Sequence, residues 1–133
     1  EMLASDALVE IGVHGLTPRP LATLSAHDSE AELVEAREIL QSRLHVPIRS
    51  IAYPYGSREA AGGREFEIAE RAGIEVGFTT VRANLQPEHT EQMMRLPRLG
   101  LSLAPHGHSM AFIRGIARGG QHAVLNKGRR FVF

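Results

Sequence analysis

The first histidine of the chain, His14, has a position from which it could do chemistry. It ends the apolar run "LVEIGVH", Leu8 to His14, and Gly-Leu-Thr and Pro18 follow it. An imidazole at the end of a strand can bind a metal ion or transfer a proton near neutral pH. A lone histidine in a turn is also a common structural residue, so a second donor group must decide between these alternatives.

Two further segments place polar or turn-forming residues at the ends of apolar runs. Tyr53-Pro54-Tyr55-Gly56 closes one run, and Thr79-Thr80 closes another. Pro54 and Gly56 are typical of a tight turn, while the rings of Tyr53 and Tyr55 can line a sugar groove or pack within that turn. Chemistry in parallel α/β proteins lies at the carboxyl ends of strands, so we expect one shared site. Polar turns after strands are the structural alternative.

The elements that would position these residues alternate between strand and helix. Apolar density predicts four strands: Leu8–His14, Ile48–Pro54, Ile74–Thr80 and Arg95–Ser102. Helical periodicity predicts three helices: Ser29–His45, Gly63–Gly73 and one around Ser109–Ala117. Ser29 and Glu32 have the spacing of a capping box at the first helix, and a loop is predicted from Val81 to Met94. This alternation predicts an α/β fold with parallel strands.

Length and charge exclude several classes of protein. The 133 residues suit one small domain, and Lys plus Arg equals Asp plus Glu at 15 each. This balance argues against a nucleic-acid partner, which normally requires a basic excess. The sequence contains no cysteine and no apolar run long enough for a transmembrane helix. These features leave the cellular compartment open.

Four segments in this order resemble the polysaccharide deacetylase family, the NodB-homology or carbohydrate esterase 4 type. They are "EIGVHGLTPRPLATLS", "IAYPYGSRE", "AERAGIEVGFTT" and "RLPRLGLS", and together they extend from about Leu8 to Ser102. The resemblance implies a distorted (β/α) barrel and a hydrolase of carbon–nitrogen, non-peptide bonds. Such enzymes remove acetyl groups from N-acetylated sugars of carbohydrate polymers. The resemblance also implies a divalent metal, expected to be zinc, held by one aspartate and two histidines.

The resemblance assigns His14 to the first histidine of a His-x-x-x-His metal motif. The second position is occupied by Pro18, which has no side-chain donor atom. A catalytic zinc ion needs about three protein ligands, so this substitution puts metal binding and activity in question.

The other family positions fall on the turn and on a late arginine. The resemblance assigns Tyr53, Pro54, Tyr55 and Gly56 to substrate binding, although Ala52 stands where many members have arginine. Arg98 matches a recurrent arginine that would orient a carboxylate in the catalytic site, and a plain surface arginine is the alternative. The pair His106 and His108 is best interpreted as part of a solvated loop.

The aspartate pair of the family has no counterpart here, since only Asp6 precedes His14. We therefore expect residues 1–133 to form a single deacetylase-like domain, a partial barrel that lacks the N-terminal strands carrying that pair. Two functions remain open: a metal-dependent deacetylase, or a catalytically inactive truncated homologue that binds glycans or serves as a structural module. A partial barrel would leave open sheet edges, which predicts a homo-oligomer.

Overall fold

A short parallel sheet lies at the centre of the fold in the computed structural model, which describes residues 2–98 and residue 114. Strand β1 comprises Ser50–Ala52 and strand β2 comprises Val76–Phe78, with Ile51 opposite Gly77. Parallel bridges extend this pair on both sides, from Val13 to Ile51 and from Leu96 to Phe78. Four chain segments therefore lie side by side, which confirms the parallel arrangement.

The outer two predicted strands are much shorter than expected. Within the described residues, Leu8–His14 contributes only the bridge at Val13, and the Arg95–Ser102 segment contributes only the bridge at Leu96. Leu8 is 95% exposed and residues 8–10 are all exposed, so only the later part of this run, at Ile11 and Val13, packs against the core. A strand needs a neighbour on which to bury its side chains. The described residues form a two-stranded sheet with bridges, and the predicted barrel is not confirmed.

The first long helix, α1, spans Ala26–Leu44 and begins earlier than predicted. Its N-cap is Ser25, whose hydroxyl accepts the Asp28 N–H at 3.0 Å. The predicted capping box at Ser29 is wrong, because Ser29 is buried inside the helix and its hydroxyl donates to the Leu21 carbonyl at 2.9 Å. The side chain of Glu32 can therefore contact another part of the chain.

The second helix, α2, spans Gly63–Arg71, close to its predicted range. The Gly62 N–H donates to the Glu65 carboxylate at 2.8 Å and so satisfies one amide at the start of the helix. At the other end Gly73 adopts φ 79°, a left-handed conformation that glycine tolerates without strain.

Both helices cover one apolar core together with β1. Six of its side chains are almost completely buried: Leu21, Leu33, Ile48, Ile51, Tyr53 and Ile68. Full burial of an aliphatic side chain contributes about 1.5–3 kcal/mol, so this cluster holds the helices against the sheet.

Short 3-10 helices complete the described chain. They span Met2–Ser5, Leu21–Thr23, Pro87–Glu91 and Met93–Arg95, so the predicted loop from Val81 to Met94 contains regular turns. None of the helices in residues 2–98 is both long and apolar enough to cross a membrane. His106, His108 and the helix predicted around Ser109–Ala117 lie outside the described residues, apart from Arg114.

Candidate functional site

The carboxyl ends of β1 and β2 bring the predicted site residues to one edge of the sheet. The Tyr53 N–H donates to the Phe78 carbonyl at 3.1 Å, which extends the pairing by one residue. Beyond it, the Thr80 N–H donates to the Gly56 carbonyl and the Thr80 hydroxyl donates to the Tyr55 carbonyl, each at 2.8 Å. The tyrosine turn and the threonine pair are therefore one hydrogen-bonded unit, as the sequence predicts.

His14 lies at this edge because Val13 is hydrogen-bonded to β1 and the His14 ring contacts the Ala52 carbonyl. The Val13 N–H donates to the Ser50 carbonyl at 2.8 Å, and the Val13 carbonyl accepts the Ala52 N–H at 3.0 Å. The Nδ1 atom of His14 lies 2.5 Å from the Ala52 carbonyl oxygen. A carbonyl can only accept, so Nδ1 is the donor of this hydrogen bond, and in the neutral imidazole Nε2 then keeps a free lone pair. Metal-binding histidines commonly have this arrangement, in which one ring nitrogen donates to a backbone carbonyl.

The structure separates the two tyrosines of the turn. The Tyr53 side chain is 0% exposed, and its ring centroid lies 5.2 Å from that of Phe66. Its hydroxyl has no hydrogen-bond partner among the described residues, and burial raises its pKa. The Tyr53 ring therefore packs within the protein and does not line an exposed groove, and Pro54 is buried beside it.

Tyr55, in contrast, presents its ring to solvent. It is 65% exposed and adopts φ 61°, a left-handed conformation that a non-glycine residue rarely takes. Gly56 follows with φ 58°, and a Cβ atom there would lie 2.8 Å from the Thr80 nitrogen. Glycine at position 56 is therefore required for the close approach that joins the turn to the end of β2.

Arg98 reaches the same edge from the segment beyond β2. Its Nε–H donates to the Thr79 carbonyl at 2.7 Å, and its backbone N–H donates to the Val81 carbonyl at 3.0 Å. Thr79 is itself held by Leu96, whose carbonyl accepts the Thr79 N–H at 2.8 Å. The guanidinium group is thus fixed beside the threonine pair.

The loop after His14 is built around a contact that the sequence did not reveal. The Glu32 carboxylate on α1 accepts both the backbone N–H and the hydroxyl of Thr17, the hydroxyl at 2.7 Å. Gly15 adopts φ 89° against the same carboxylate, and Pro18 is exposed. Glu32 lies fifteen residues from Thr17 in sequence, and no short-range spacing rule links them.

An open cleft of about 780 Å³ lies elsewhere, between α2 and the 3-10 turns at residues 87–95. Four glutamates contribute to its lining: Glu67, Glu70, Glu75 and Glu91. None of the predicted site residues lines this cleft. The candidate site at the edge of the sheet is therefore separate from this cleft.

Comparison with known families identifies the chain. The model of the family described as polysaccharide deacetylase matches residues 1–77, more than half of the sequence. The chain belongs to the polysaccharide deacetylase family. The matched range includes His14, α1, the tyrosine turn and α2, and it ends within β2.

One solved structure supports the fold of this deacetylase-family chain. The Streptococcus pyogenes deacetylase PplD, solved in complex with acetate, is similar with a TM-score of 0.60 and 21% identity. The match covers 71% of this chain and 41% of PplD, so the chain spans well under half the length of that protein. The BpsB deacetylase domain from Bordetella bronchiseptica matches at a TM-score of 0.45 and 18% identity, over 55% of this chain and 26% of that one. A search of curated proteins gave no match to this chain.

Deacetylases of this family are generally metal-dependent. In the described part of the chain, however, no three histidine, aspartate or glutamate side chains are grouped so that they could hold a metal ion. The described residues therefore do not fit a complete metal centre, and they support no catalytic step through a metal.

Proposed function

We propose that this chain belongs to a deacetylase that binds an N-acetylated oligosaccharide or carbohydrate polymer and hydrolyses the carbon–nitrogen bond of its acetamide groups. Family membership supports the reaction class. The convergence of His14, Tyr55 and Arg98 on one edge of the sheet is the observation that carries the proposal.

Each of these side chains has a role that its environment supports. The exposed ring of Tyr55 offers an apolar face on which a sugar ring can pack, with a hydroxyl at its rim. The fixed guanidinium of Arg98 can orient a carboxylate through paired hydrogen bonds. Tyr53, Pro54 and Gly56 support this surface from behind by holding the turn in place.

His14 is the proposed metal ligand, through Nε2. Zinc is the metal expected for the family, and the described residues do not supply the about three protein ligands that it would need. With Nδ1 donating to Ala52, Nε2 is the ring nitrogen that remains to bind a metal.

A second candidate function is favoured by one specific observation. Pro18 occupies the position of the second histidine and offers no donor, and the described residues contain no complete ligand group. A non-catalytic homologue that keeps the scaffold and binds glycans, or serves as a structural module, is consistent with this loss. Fold and ancestry alone do not decide activity.

Two measurements on the full chain separate these functions: acetate release from N-acetylated oligosaccharides, and binding of the same oligosaccharides by calorimetry. We expect Tyr55→Ala to weaken binding about tenfold, equivalent to ~1.4 kcal/mol. Leu3→Ala is the matched control, since Leu3 is 63% exposed and lies in a separate 3-10 turn. His14→Ala should abolish acetate release without abolishing binding.

The outcomes are distinct. Acetate release that depends on His14 supports the deacetylase. Binding that depends on Tyr55 without any acetate release supports the non-catalytic homologue. Absence of binding, or equal loss of binding in Tyr55→Ala and Leu3→Ala, contradicts the proposed carbohydrate surface.

A further inference from the structure

The cleft of about 780 Å³ between α2 and the 3-10 turns at residues 87–95 has an apolar floor. Phe66 and Ile74 are buried there, and Met94 is half-buried beside them. Met93, which is 40% exposed, also lines the cleft. The volume lies in the range of small-molecule sites, which are mostly apolar with a few polar groups. A ligand with apolar faces can therefore bury them here.

Carboxylates without partners line both walls of this cleft. Glu67 and Glu70 are exposed on α2, and Glu91 is exposed at the end of the 3-10 turn on the other side. Within residues 2–98, none of these three carboxylates makes a hydrogen bond or an ion pair. A ligand in the cleft can therefore pair with all three without breaking an existing contact.

The positive groups around the cleft are already engaged by the protein. The Arg95 Nε–H donates to the side-chain oxygen of Gln92 at 3.1 Å, and Arg49 lies 3.6 Å from the Glu75 carboxylate. Arg37, close to the glycine that follows α2, donates to two backbone carbonyls. Four carboxylates and one guanidinium group line the cleft, so its charge is negative in excess.

This arrangement is unfavourable for the protein alone. Glu67 and Glu70 are three positions apart on α2, so their carboxylates are neighbours on the helix surface and repel each other. Features that lower stability without a structural benefit are typical of functional surfaces, where function is kept at a cost to stability. A cationic ligand would remove the repulsion.

The cleft lies at the opposite end of the sheet from the candidate site. Glu75 directly precedes β2, and Met94 comes shortly before the bridge at Leu96. Tyr55 and Arg98, in contrast, lie beyond the carboxyl ends of the strands. Strand β2 has three residues, a length of about 10 Å, so one polymer chain can contact both surfaces.

We propose that this cleft binds the deacetylated stretch of an amino-sugar polymer, the product of the proposed reaction. Hydrolysis of an acetamide releases acetate and leaves a primary amine on the sugar, which takes up a proton to become an ammonium group. Ammonium groups can pair with the free carboxylates while the apolar faces of the sugar rings pack on Met93 and on the floor. The inference rests on the proposed function, since a neutral N-acetylated stretch offers these carboxylates no charge.

The test is calorimetry of the full chain with two oligomers of equal length, one of glucosamine and one of N-acetylglucosamine. Mildly acidic pH keeps both the amines and the carboxylates charged. We expect the glucosamine oligomer to bind more tightly. The double variant Glu67→Gln, Glu70→Gln should weaken its binding about tenfold, since each exposed ion pair changes affinity by up to about fivefold.

The matched control is the double variant Glu35→Gln, Glu38→Gln. These two carboxylates are exposed on α1 at the same spacing, away from the cleft, and their removal changes the net charge equally. It should leave the affinity for the glucosamine oligomer within about twofold of the natural chain. Urea unfolding of both double variants checks that a loss of binding is not a loss of folding, because removal of the Glu67–Glu70 repulsion should not destabilise α2.

A lysine oligomer of equal charge tests whether the sugar itself is recognised. It should bind more weakly than the glucosamine oligomer, because it has no ring face to pack on the floor of the cleft. Met93→Ala should weaken binding of the glucosamine oligomer more than that of the lysine oligomer, since Met93 is proposed to contact the sugar rings.

The results that overturn the inference are specific. Equal affinity for the two sugar oligomers, or equal effects of the two double variants, overturns the cleft as the site of an amino-sugar polymer. A lysine oligomer that binds as tightly as the glucosamine oligomer overturns the assignment to a sugar and indicates a basic peptide. Failure of the proposed function shows separately, in acetate release and in the dependence of N-acetylated oligosaccharide binding on Tyr55.

Discussion

Removal of the Tyr53 hydroxyl should stabilise the protein, although Tyr53 lies in the segment that marks the family. The ring fills the space between α2 and β2, and the hydroxyl is so close to β2 that a Cβ atom on Gly77 would lie 2.7 Å from it. This hydroxyl has no hydrogen-bond partner among the described residues. Tyr53→Phe keeps the ring and removes only the unpaired group.

The magnitude follows from the cost of an unmade hydrogen bond. A buried polar group without a partner costs about 1–3 kcal/mol, and part of this is offset by the packing contacts of the oxygen atom. We therefore expect the free energy of unfolding of Tyr53→Phe to exceed that of the natural chain by about 1 kcal/mol near neutral pH. Tyr55→Phe is the matched control and should change it by less than about 0.5 kcal/mol, because the Tyr55 side chain is exposed.

The same hydroxyl predicts a pH dependence. Burial, with a smaller contribution from the charge of Glu65, raises the pKa of Tyr53 in the folded protein. In the unfolded chain the group titrates near its ordinary value of about 10. Above that pH the unfolded state loses the proton first, so stability falls as pH rises, by up to about 1.4 kcal/mol per pH unit. Tyr53→Phe lacks this contribution, and its advantage should widen above pH 10.

Urea unfolding of the three proteins between pH 7 and 11 measures both effects. If the free energy of unfolding of all three proteins falls with urea concentration at the same slope, they expose the same amount of surface on unfolding and their stabilities can be compared. A loss of more than about 1 kcal/mol in Tyr53→Phe at pH 7 would refute the reasoning, since it would mean that the hydroxyl makes a favourable bond. A stability difference that stays constant from pH 8 to 11 would refute the raised pKa.

Three further predictions concern the turn, the first helix and assembly. Gly56→Ala should lower the free energy of unfolding by about 2 kcal/mol and weaken sugar binding, because φ is 58° and the added Cβ atom would approach the Thr80 nitrogen. Gly63→Ala is the control and should be neutral or stabilising in the same unfolding assay, because nothing lies within 4 Å of its added Cβ atom. Ser25→Ala should lower the free energy of unfolding by about 1 kcal/mol, because α1 loses its N-cap. The same change should raise the pKa of Asp28, which the Ser25 hydroxyl and, to a smaller extent, His27 hold below its usual value. An NMR titration of the Asp28 carboxylate in which the pKa stays low would contradict this. We expect a homo-oligomer in sedimentation velocity, because the described residues form only a two-stranded sheet with single bridges at its sides; a single monomeric species would contradict this expectation.

Short-range patterns predicted the positions of most described elements. Apolar runs located β1 and β2, and helical periodicity located α1 and α2. The start of α1 was misjudged because two serines, Ser25 and Ser29, each precede an acidic residue by three positions. Ser25 is the N-cap, whereas Ser29 is buried inside the helix, where its hydroxyl donates to the Leu21 carbonyl. That burial depends on a tertiary contact, which the spacing of residues does not reveal.

The site was partly predictable in the same way. The edge shared by His14, the tyrosine turn and the threonine pair follows from the rule that parallel strands end on one side. The burial of Tyr53 also had a signal, because Tyr53 and Ile51 are two residues apart and so face the same side of a strand. The contact of Glu32 with Thr17 had none, since it joins two segments that only the packing of α1 brings together.

These contacts explain why the family fold and the metal motif can diverge in one chain. The edge is held by backbone bonds at Val13, Tyr53 and Thr80 and by the Glu32 carboxylate, and none of these bonds involves the side chain at position 18. If position 18 is the family's second histidine position, as the resemblance implies, proline there removes a metal donor without a direct cost to the scaffold. The scaffold can persist after the donor is lost, so activity in this chain has to be judged at position 18 and at His14 rather than from the fold.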